Sequence, residues 1–208
     1  MIKSSKIGKE FPRIKLLGGF CMNTKDKWNL KHMDRLTQLK EPQPNPRLMK
    51  LASYFKEGGT ALDIACGLGG NSLFLAGMNN QVEAIDISDV AINYVQEQAA
   101  KDNLSVQPRV TDLTDLDTLN WPNNPFDFIV MSYYLDRSLF PIVKNVLKDG
   151  GYFFMETYYQ SPYIEEKGVS DQYKLNSNEL LAEFGDWKVL YFEENEQEGW
   201  QSIFCQKR

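Results

Sequence analysis

Thr60-Ala-Leu-Asp-Ile-Ala-Cys-Gly-Leu-Gly-Gly-Asn-Ser72 joins an apolar run to a glycine-rich turn, and the other predicted elements are arranged around it. The run from Ala61 to Cys66 predicts a buried strand that carries one acid, Asp63. After the glycines, residues 72–78 read as the start of a helix. A strand, a glycine turn and a helix N-terminus form a site where backbone N–H groups face a nucleotide. The segment therefore predicts a nucleotide-binding α/β fold.

The spacing of the glycines separates two kinds of nucleotide site. A dinucleotide fingerprint needs a third glycine for close packing of the helix on the strand, and Ser72 stands at that place when counted from Gly67. Asp63 also suits a nicotinamide dinucleotide poorly, because a carboxylate repels a pyrophosphate. It suits a ligand with a positive group near the turn, such as an ammonium or a sulfonium. The turn therefore disfavours a nicotinamide oxidoreductase.

The same segment resembles motif I of class I S-adenosylmethionine methyltransferases, which usually reads acid-x-Gly-x-Gly-x-Gly. Ala65 replaces the first glycine, while Gly67 and Gly69 are kept. The resemblance extends over about residues 24–208. Within that range the chain is similar to the small stand-alone bacterial methyltransferases of the tellurite-resistance type. Its phrases are residues 65–76, 134–141 and 150–157. Residues 169–175 depart from the family pattern, so the identity of the acceptor does not transfer.

Strand and helix patterns alternate beyond the glycine turn, which predicts a parallel sheet with helices on both faces. The fold class is therefore predicted as α/β: a Rossmann-like, doubly wound, mostly parallel sheet with a C-terminal antiparallel hairpin, as in class I methyltransferases. An acidic turn at residues 193–198 joins the hairpin strands, and we assign it no function. The later strands are expected at 81–85, 106–110, 125–131, 152–157, 187–192 and 200–206, and the later helices at 90–100, 138–148 and 176–184.

The chain divides into an arm and one domain. Residues 1–23 have a clear excess of lysine and arginine and are predicted to be a flexible basic N-terminal arm. Residues 24–208 are predicted to form a single methyltransferase domain, with an N-terminal helical cover at 24–57 and a core at 58–208. His32, the only histidine, lies in the cover and is predicted to be exposed, because a lone histidine has no visible partner.

Acids at the ends of two strands are candidate nucleotide contacts. Asp86 ends the second strand about 20 residues beyond the glycine turn, where a doubly wound fold holds ribose hydroxyls. The resemblance assigns the adenine amino group to Asp112, with Asp115, Asp117 or a merely exposed loop carboxylate as alternatives. The cofactor implied is S-adenosylmethionine, and no metal is expected. Its predicted contacts are Asp63, Ala65, Cys66, Gly67, Gly69, Asn71, Ser72, Asp86, Ile87, Asp112, Leu113 and Met131.

The residues after the fourth strand are candidates for the acceptor site, because ligands bind beyond the carboxyl ends of parallel strands. They are Tyr133, Tyr134, Asp136 and Arg137, of which Arg137 suits an anionic acceptor. The alternative is that the acid and the arginine cap the next helix and the tyrosines belong to the core. No catalytic residue is assigned, because the methyl group of the cofactor is already activated and needs mainly alignment and desolvation.

Bulk composition excludes several classes of protein. The net charge of −5 gives no basic footprint, which makes a nucleic-acid partner unlikely. No apolar run approaches the length of a membrane span, and three scattered cysteines indicate a reducing cytoplasm. The predicted function is methyl transfer from S-adenosylmethionine to a small-molecule acceptor by in-line displacement. A non-catalytic cofactor-binding sensor or partner subunit, and a methyltransferase acting on RNA or protein, remain alternatives; the oligomeric state is not predicted.

Overall fold

The computed structural model of the protein describes residues 22–38, 41–55, 57–116, 119, 121, 125–164 and 169–208. Residues 1–21 of the predicted basic arm, and Asp117, lie outside the described residues. Within the described ranges, no helix is long and apolar enough to cross a bilayer.

One seven-stranded sheet forms the centre of the molecule. Its order is β3-β2-β1-β4-β5-β7-β6, and β7 runs antiparallel to both of its neighbours while the other pairs are parallel. The predicted fold class is confirmed. The strands are β1 (Thr60–Ile64), β2 (Gln81–Asp86), β3 (Val106–Val110), β4 (Phe126–Ser132), β5 (Leu147–Tyr158), β6 (Lys188–Asn195) and β7 (Trp200–Gln206).

Helices cover both faces of this sheet, and the first helix lies at the carboxyl ends of its strands. The bounds are α1 (Thr24–Thr37), α2 (Pro46–Lys50), α3 (Gly70–Gly77), α4 (Asp89–Lys101), α5 (Phe140–Val146) and α6 (Glu179–Phe184), with a 3₁₀ turn at Ala52–Tyr54. Residues 46–54 of the predicted helical cover therefore form a short helix and a separate turn, and the last two helices start later than predicted. Asn178 has a φ of 59°, outside the helical region, so α6 cannot begin before the following residue.

The segment before α5 is capped by Asp136. Its side chain accepts a hydrogen bond from the Ser138 N–H at 2.9 Å and precedes a 3₁₀ turn that leads into α5. The helix then ends at Val146, because Leu147 already takes extended backbone and starts β5. The fifth strand therefore begins five residues earlier than the expected residue 152.

Successive side chains of the central strands feed two apolar clusters. In β4, Ile129 and Met131 belong to one cluster, whereas Phe128 and Val130 belong to the other. Because neighbouring side chains of a strand point to opposite faces, the clusters lie on the two sides of the sheet. One includes buried residues of α5 and α6, and the other includes buried residues of α2 and α3.

Helix α1 is anchored to the start of α4. The Asn23 side chain caps α1 by accepting from the Asp26 N–H at 2.8 Å. Asn29 of α1 then accepts a hydrogen bond from the Ser88 hydroxyl at 2.6 Å, and Lys25 pairs with Asp89 at 3.0 Å. Since Ser88 also caps α4, these contacts fix α1 above the carboxyl ends of β1 and β2.

Candidate functional site

A cavity of about 490 Å³ opens at the carboxyl ends of the parallel strands. The strand order reverses between β1 and β4, and open α/β sheets bind ligands at such a point. The volume lies in the range of pockets that enclose a small ligand or cofactor. Its walls come from α1, the segment before α2, and the residues that follow β1, β2, β3 and β4.

The glycine turn after β1 forms the floor of this cavity. Ala65, Gly67 and Gly69 have φ values of 56°, 54° and 79°, all in the left-handed region. A side chain in this region costs roughly 1–2 kcal/mol, so Ala65 adopts at some cost the conformation that a glycine would take freely. At Gly69 a Cβ would lie 2.5 Å from a methyl group of Val95, so this glycine permits α3 and α4 to pack closely.

Asp86 holds the glycine turn against the end of β2. Its two carboxylate oxygens accept hydrogen bonds from the N–H groups of Gly67 and Ser88, each at 2.9 Å. The residue is largely buried, yet it lines the cavity together with Ile87. A carboxylate oxygen accepts more than one hydrogen bond, so Asp86 retains capacity for a ligand.

Asp63 and Ser72 lie beneath the turn, and neither lines the cavity. The Ser72 hydroxyl donates to Asp63 at 2.5 Å, and both residues are buried. Burial raises the pKa of Asp63 from an ordinary 3.8 to about 7; the hydrogen bond from Ser72 opposes this shift, and the nearby Asp86 carboxylate adds to it. Asp63 therefore supports the turn from below at a distance from any ligand in the cavity.

The raised pKa of Asp63 predicts a pH-dependent stability. Between about pH 4 and pH 7 the folded protein keeps a proton on Asp63 that the unfolded chain has released, so the free energy of unfolding falls as the pH rises. We expect the melting temperature of Asp63→Asn to rise relative to that of the wild type between pH 5 and pH 8. A difference of about 1 kcal/mol in the free energy of unfolding corresponds to a difference of about 2–4 °C in melting temperature for a domain of this size. Thermal unfolding of both ligand-free proteins measures it, and an equal gap at both pH values would contradict it.

The loop after β3 contributes two of the predicted residues. Asp112 and Leu113 both line the cavity, with Asp112 exposed and Leu113 buried. One oxygen of Asp112 accepts from the N–H and the hydroxyl of Thr114, at 3.0 and 2.7 Å, which fixes the side chain at the rim.

The prediction that His32 is exposed is wrong. His32 is only 2% exposed, lines the cavity and stacks on Trp28 with ring centroids 5.8 Å apart. It faces the glycine turn, since a Cβ built on Gly67 would lie 3.3 Å from its Cε1. Within the part of the chain that the structure describes, its Nδ1 has no hydrogen-bond partner. Burial lowers the pKa of His32, so the ring is neutral near pH 7.

Two of the four candidate acceptor residues line the cavity. Tyr133 and Tyr134 do, and Tyr133 has a φ of 60°, a strained conformation of the kind found at ligand sites. Burial raises the pKa of Tyr133 to about 12, and the Glu156 carboxylate adds to the shift, so its phenol is neutral. Burial also raises the pKa of Tyr134.

Asp136 and Arg137 lie away from the cavity. Asp136 caps the turn before α5, in agreement with the alternative that the sequence left open. Arg137 donates from Nε and Nη2 to the two carboxylate oxygens of Glu179, at 2.5 and 2.9 Å, and donates to two backbone carbonyls as well. Its charge is thus neutralised by α6, which removes the reason to expect an anionic acceptor beside it.

A polar network that the sequence does not reveal lies behind Tyr133. Glu156 is buried at the end of β5 and accepts from Asn45 Nδ2 at 2.7 Å and from the Ser202 hydroxyl at 2.6 Å. The Arg47 guanidinium lies 3.3 Å from the same carboxylate. Asn45 Nδ2 also donates to the Tyr133 hydroxyl at 3.2 Å, which joins the network to the cavity.

The acidic turn at residues 193–198, to which the sequence analysis assigned no function, makes structural contacts. Glu193 and Glu198 each pair with Arg47 at 2.8 Å, so the hairpin holds the start of α2. Glu194 accepts from Gln201 and Ser177, which ties the hairpin to the segment before α6.

The predicted site residues thus fall into two groups. Those that line the cavity are Ala65, Cys66, Gly67, Asn71, Asp86, Ile87, Asp112, Leu113, Tyr133 and Tyr134. Those that the structure places elsewhere are Asp63, Gly69, Ser72, Met131, Asp136 and Arg137; Met131, for example, is fully buried in the core. Further lining residues come from the cover and from β7, where no local motif marks them: Thr24, His32, Arg35, Asn45 and Trp200.

Comparison with known proteins finds methyltransferases that are similar to this chain in sequence and in fold. A family model described as a methyltransferase domain matches residues 61–151, from β1 into β5. The probable S-adenosyl-L-methionine-dependent methyltransferase TehB of Haemophilus influenzae is 30% identical over 141 residues, which are 64% of this chain and 48% of TehB. Phosphoethanolamine N-methyltransferase 1 of Arabidopsis thaliana is 30% identical over 131 residues, 60% of this chain and 26% of that protein.

The crystal structure of Haemophilus influenzae TehB has a similar fold. It superposes with a TM-score of 0.66 at 23% identity, over 79% of this chain and 62% of the TehB chain. The chain spans about half the length of TehB and about a quarter of the length of the Arabidopsis enzyme. The family match, the similarity to TehB and the shared fold together support a TehB-like, class I S-adenosylmethionine-dependent methyltransferase.

Proposed function

We propose that the chain binds S-adenosylmethionine in the cavity and transfers its methyl group to a small-molecule acceptor. The observation that carries the proposal is the meeting of three features in one cavity: the left-handed glycine turn, the carboxylate of Asp86 and the aromatic residues that follow β4. Each feature comes from a separate strand end, so their convergence depends on the whole sheet.

The residues present fit the cofactor. Gly67 lines the cavity without a side chain, so its backbone can approach a ligand closely. We assign the ribose hydroxyls to Asp86, and the adenine to Asp112 and Leu113. Asn71 also lines the cavity, and its amide nitrogen donates to Ser132 at 3.2 Å, which links the start of α3 to the end of β4.

When bound, the cofactor supplies a methyl group that is activated by the adjoining sulfonium. The work left to the protein is to align an acceptor with that methyl group and to exclude water. Tyr133 and Tyr134 are placed for alignment, while Trp28 and His32 of α1 close the cavity over the glycine turn.

We further propose that His32 contacts the cofactor. Its ring has a nitrogen that no described protein group satisfies, and a buried polar atom without a partner is unfavourable. A half-turn about the Cβ–Cγ bond exchanges Cε1 with Nε2 and presents a nitrogen beside Gly67 without changing the volume of the ring. The bound cofactor would then form a hydrogen bond with Nε2 beside the glycine turn.

The variant His32→Phe tests this contact through two effects of opposite sign. Phenylalanine keeps the stack on Trp28 and removes the unsatisfied nitrogen, so the ligand-free protein should melt at the wild-type temperature or higher. Its affinity for S-adenosylmethionine should fall by about 1 kcal/mol, roughly fivefold, because one hydrogen bond is lost. Calorimetry and thermal unfolding measure both. A histidine that only supports the fold would show the reverse: lower stability with unchanged affinity.

Several features favour a small acceptor over RNA or protein. Phosphoethanolamine N-methyltransferase is named for a small acceptor. The net charge of −5 provides no basic surface, although phosphate contacts supply most of the affinity for a nucleic acid. Four aromatic side chains line the cavity, those of Trp28, Tyr133, Tyr134 and Tyr158. Such a lining suits a small acceptor.

A transfer assay tests the proposed function. S-adenosylmethionine should raise the melting temperature, as any ligand of the native state does. Labelled methyl should then appear in one or more members of a panel of small amines, thiols, acids and chalcogen oxyanions, and not in bulk RNA or protein. Binding without transfer to any acceptor would favour a sensor or partner subunit, and label in RNA or protein would overturn the small acceptor.

We also propose a reducing, cytoplasmic setting. It is supported by the described cysteines Cys66 and Cys205, which are both free thiols. Burial raises the pKa of each, so neither is a reactive thiolate at neutral pH.

A further inference from the structure

Three aromatic rings form one corner of the cavity. Trp200 lies against Tyr158, its direct cross-strand neighbour, with ring centroids 4.2 Å apart. Tyr133 meets Trp200 edge-on at 5.0 Å. We call Tyr133, Tyr158 and Trp200 the aromatic corner; all three line the cavity.

A carboxylate lies directly behind this corner. Glu156 is two residues before Tyr158 in β5, and it faces Ser202 across the strand pair as Tyr158 faces Trp200. It is almost completely buried and is connected to the Tyr133 hydroxyl through Asn45. The backbone N–H of Tyr133 also donates to the Glu156 carbonyl at 2.8 Å, so corner and carboxylate form one rigid unit.

The charge around this unit is negative. Arg47 is the cation that pairs with Glu156, but Glu193 and Glu198 bind the same guanidinium, which sets three carboxylates against one positive charge. Of the lysine and arginine side chains that the structure describes, only Arg35 lines the cavity, and it belongs to α1 beside His32. The aromatic corner therefore presents ring faces and negative potential.

This combination suits a positive charge. Aromatic faces attract cations, and clusters of such rings recognise quaternary ammonium groups. A buried carboxylate behind the rings strengthens the attraction, since it acts through a medium of low dielectric constant. An oxyanion in the same place would meet repulsion from Glu156, while Arg47, the cation paired with Glu156, is already bound by two further carboxylates.

Resting on the proposed methyl transfer, we propose that the aromatic corner is the acceptor subsite and that the acceptor is a small amine. The neutral amine nitrogen gives its lone pair to the methyl carbon, a nitrogen–carbon bond forms, and the carbon–sulfur bond breaks with its electron pair returning to sulfur. The positive charge passes from sulfur to nitrogen, and the methylated ammonium later releases any surplus proton to water. The aromatic corner stabilises that developing charge, which accelerates the transfer step.

A matched pair of probes tests the subsite by binding alone, without methyl transfer. Choline carries a quaternary ammonium group like that of a methylated product, and 3,3-dimethylbutan-1-ol is its uncharged carbon analogue. We expect calorimetry, with and without saturating S-adenosylhomocysteine, to show choline binding about tenfold more tightly than the alcohol. Equal affinity, or tighter binding of the alcohol, would overturn the proposal.

Substitutions at Trp200 locate the preference. Trp200→Leu should abolish the preference for choline, whereas Trp200→Phe should retain most of it because a ring face remains. Trp121→Leu is the matched control, since Trp121 packs on Phe126 and does not line the cavity. All three variants should keep the increase in melting temperature with S-adenosylmethionine, which shows that they are folded. A preference that survives Trp200→Leu would place the cation elsewhere and refute the assignment.

Methyl transfer provides the second arm of the test. Primary and secondary amines should accept label faster than selenite, tellurite or small thiols at equal concentration, and choline should inhibit the reaction. Faster transfer to the oxyanions or thiols would reject the amine while leaving the methyltransferase function intact. A wild-type protein that does not bind S-adenosylmethionine would instead overturn the proposed function, and the choline comparison on the ligand-free protein would still be readable.

Discussion

Gly67→Val should abolish measurable binding of S-adenosylmethionine. Gly67 has a φ of 54°, which a β-branched side chain tolerates poorly. It also lines the cavity at the point where the ligand is expected to pass the glycine turn. The new side chain would also press on His32, since a Cβ alone would already lie 3.3 Å from its ring. We expect affinity to fall at least 100-fold, about 2.8 kcal/mol, and the ligand-induced rise in melting temperature to disappear.

The matched control is Gly77→Val at the end of α3. A Cβ on Gly77 meets nothing within 4 Å, and its φ is not among the positive values. This variant should bind the cofactor normally. Circular dichroism of ligand-free Gly67→Val must show a native fold for the comparison to count. Normal binding by a folded Gly67→Val would place the cofactor outside the glycine turn.

The features that could be predicted from the sequence are those whose signals are local. The run from Ala61 to Cys66, the glycines and the apolar face of α3 are contiguous, so pattern alone predicts their structure and their position in the sheet. Asp86 was predictable for the same reason, because its distance from the turn is fixed by one helix and one strand.

The errors arise where distant segments decide the outcome. His32 is buried because Asn29 holds α1 on Ser88, 59 residues later in the chain. Arg137 is occupied by Glu179, which lies 42 residues away on α6. The local sequence around a charged or polar residue does not contain such distant partners. Whether the side chain is buried, and whether its charge is paired, therefore cannot be deduced from that sequence.

The acceptor side of the cavity is the part of the site with the least local information. Asn45 comes from the segment before α2, Glu156 from β5 and Trp200 from β7. They meet only because the antiparallel hairpin brings the end of the chain back beside β5. The glycine motif accordingly predicts the cofactor, whereas the proposed acceptor subsite is assembled only in the folded protein.

Arg47→Met should strongly destabilise the folded protein. It leaves Glu156 as a buried carboxylate without its guanidinium, and it releases Glu193 and Glu198 of the hairpin from α2. Removing one partner of a buried ion pair costs about 3–5 kcal/mol. Since Asn45 and Ser202 still donate to Glu156, we expect the lower end, a fall of about 6–12 °C in melting temperature.

Two further variants separate the buried charge from a general loss of packing. Arg109→Met breaks the ion pair with Glu83, which is also short at 2.6 Å but lies at an exposed position, and exposed pairs contribute about 1 kcal/mol or less. The double variant Arg47→Met/Glu156→Gln removes both buried charges and should recover most of the stability lost by Arg47→Met, because a neutral pair avoids the cost of desolvation. Equal destabilisation by Arg47→Met and Arg109→Met, without recovery in the double variant, would mean that Glu156 is not held as a buried anion. The negative charge behind the aromatic corner, and with it the electrostatic basis for an amine acceptor, would then be lost.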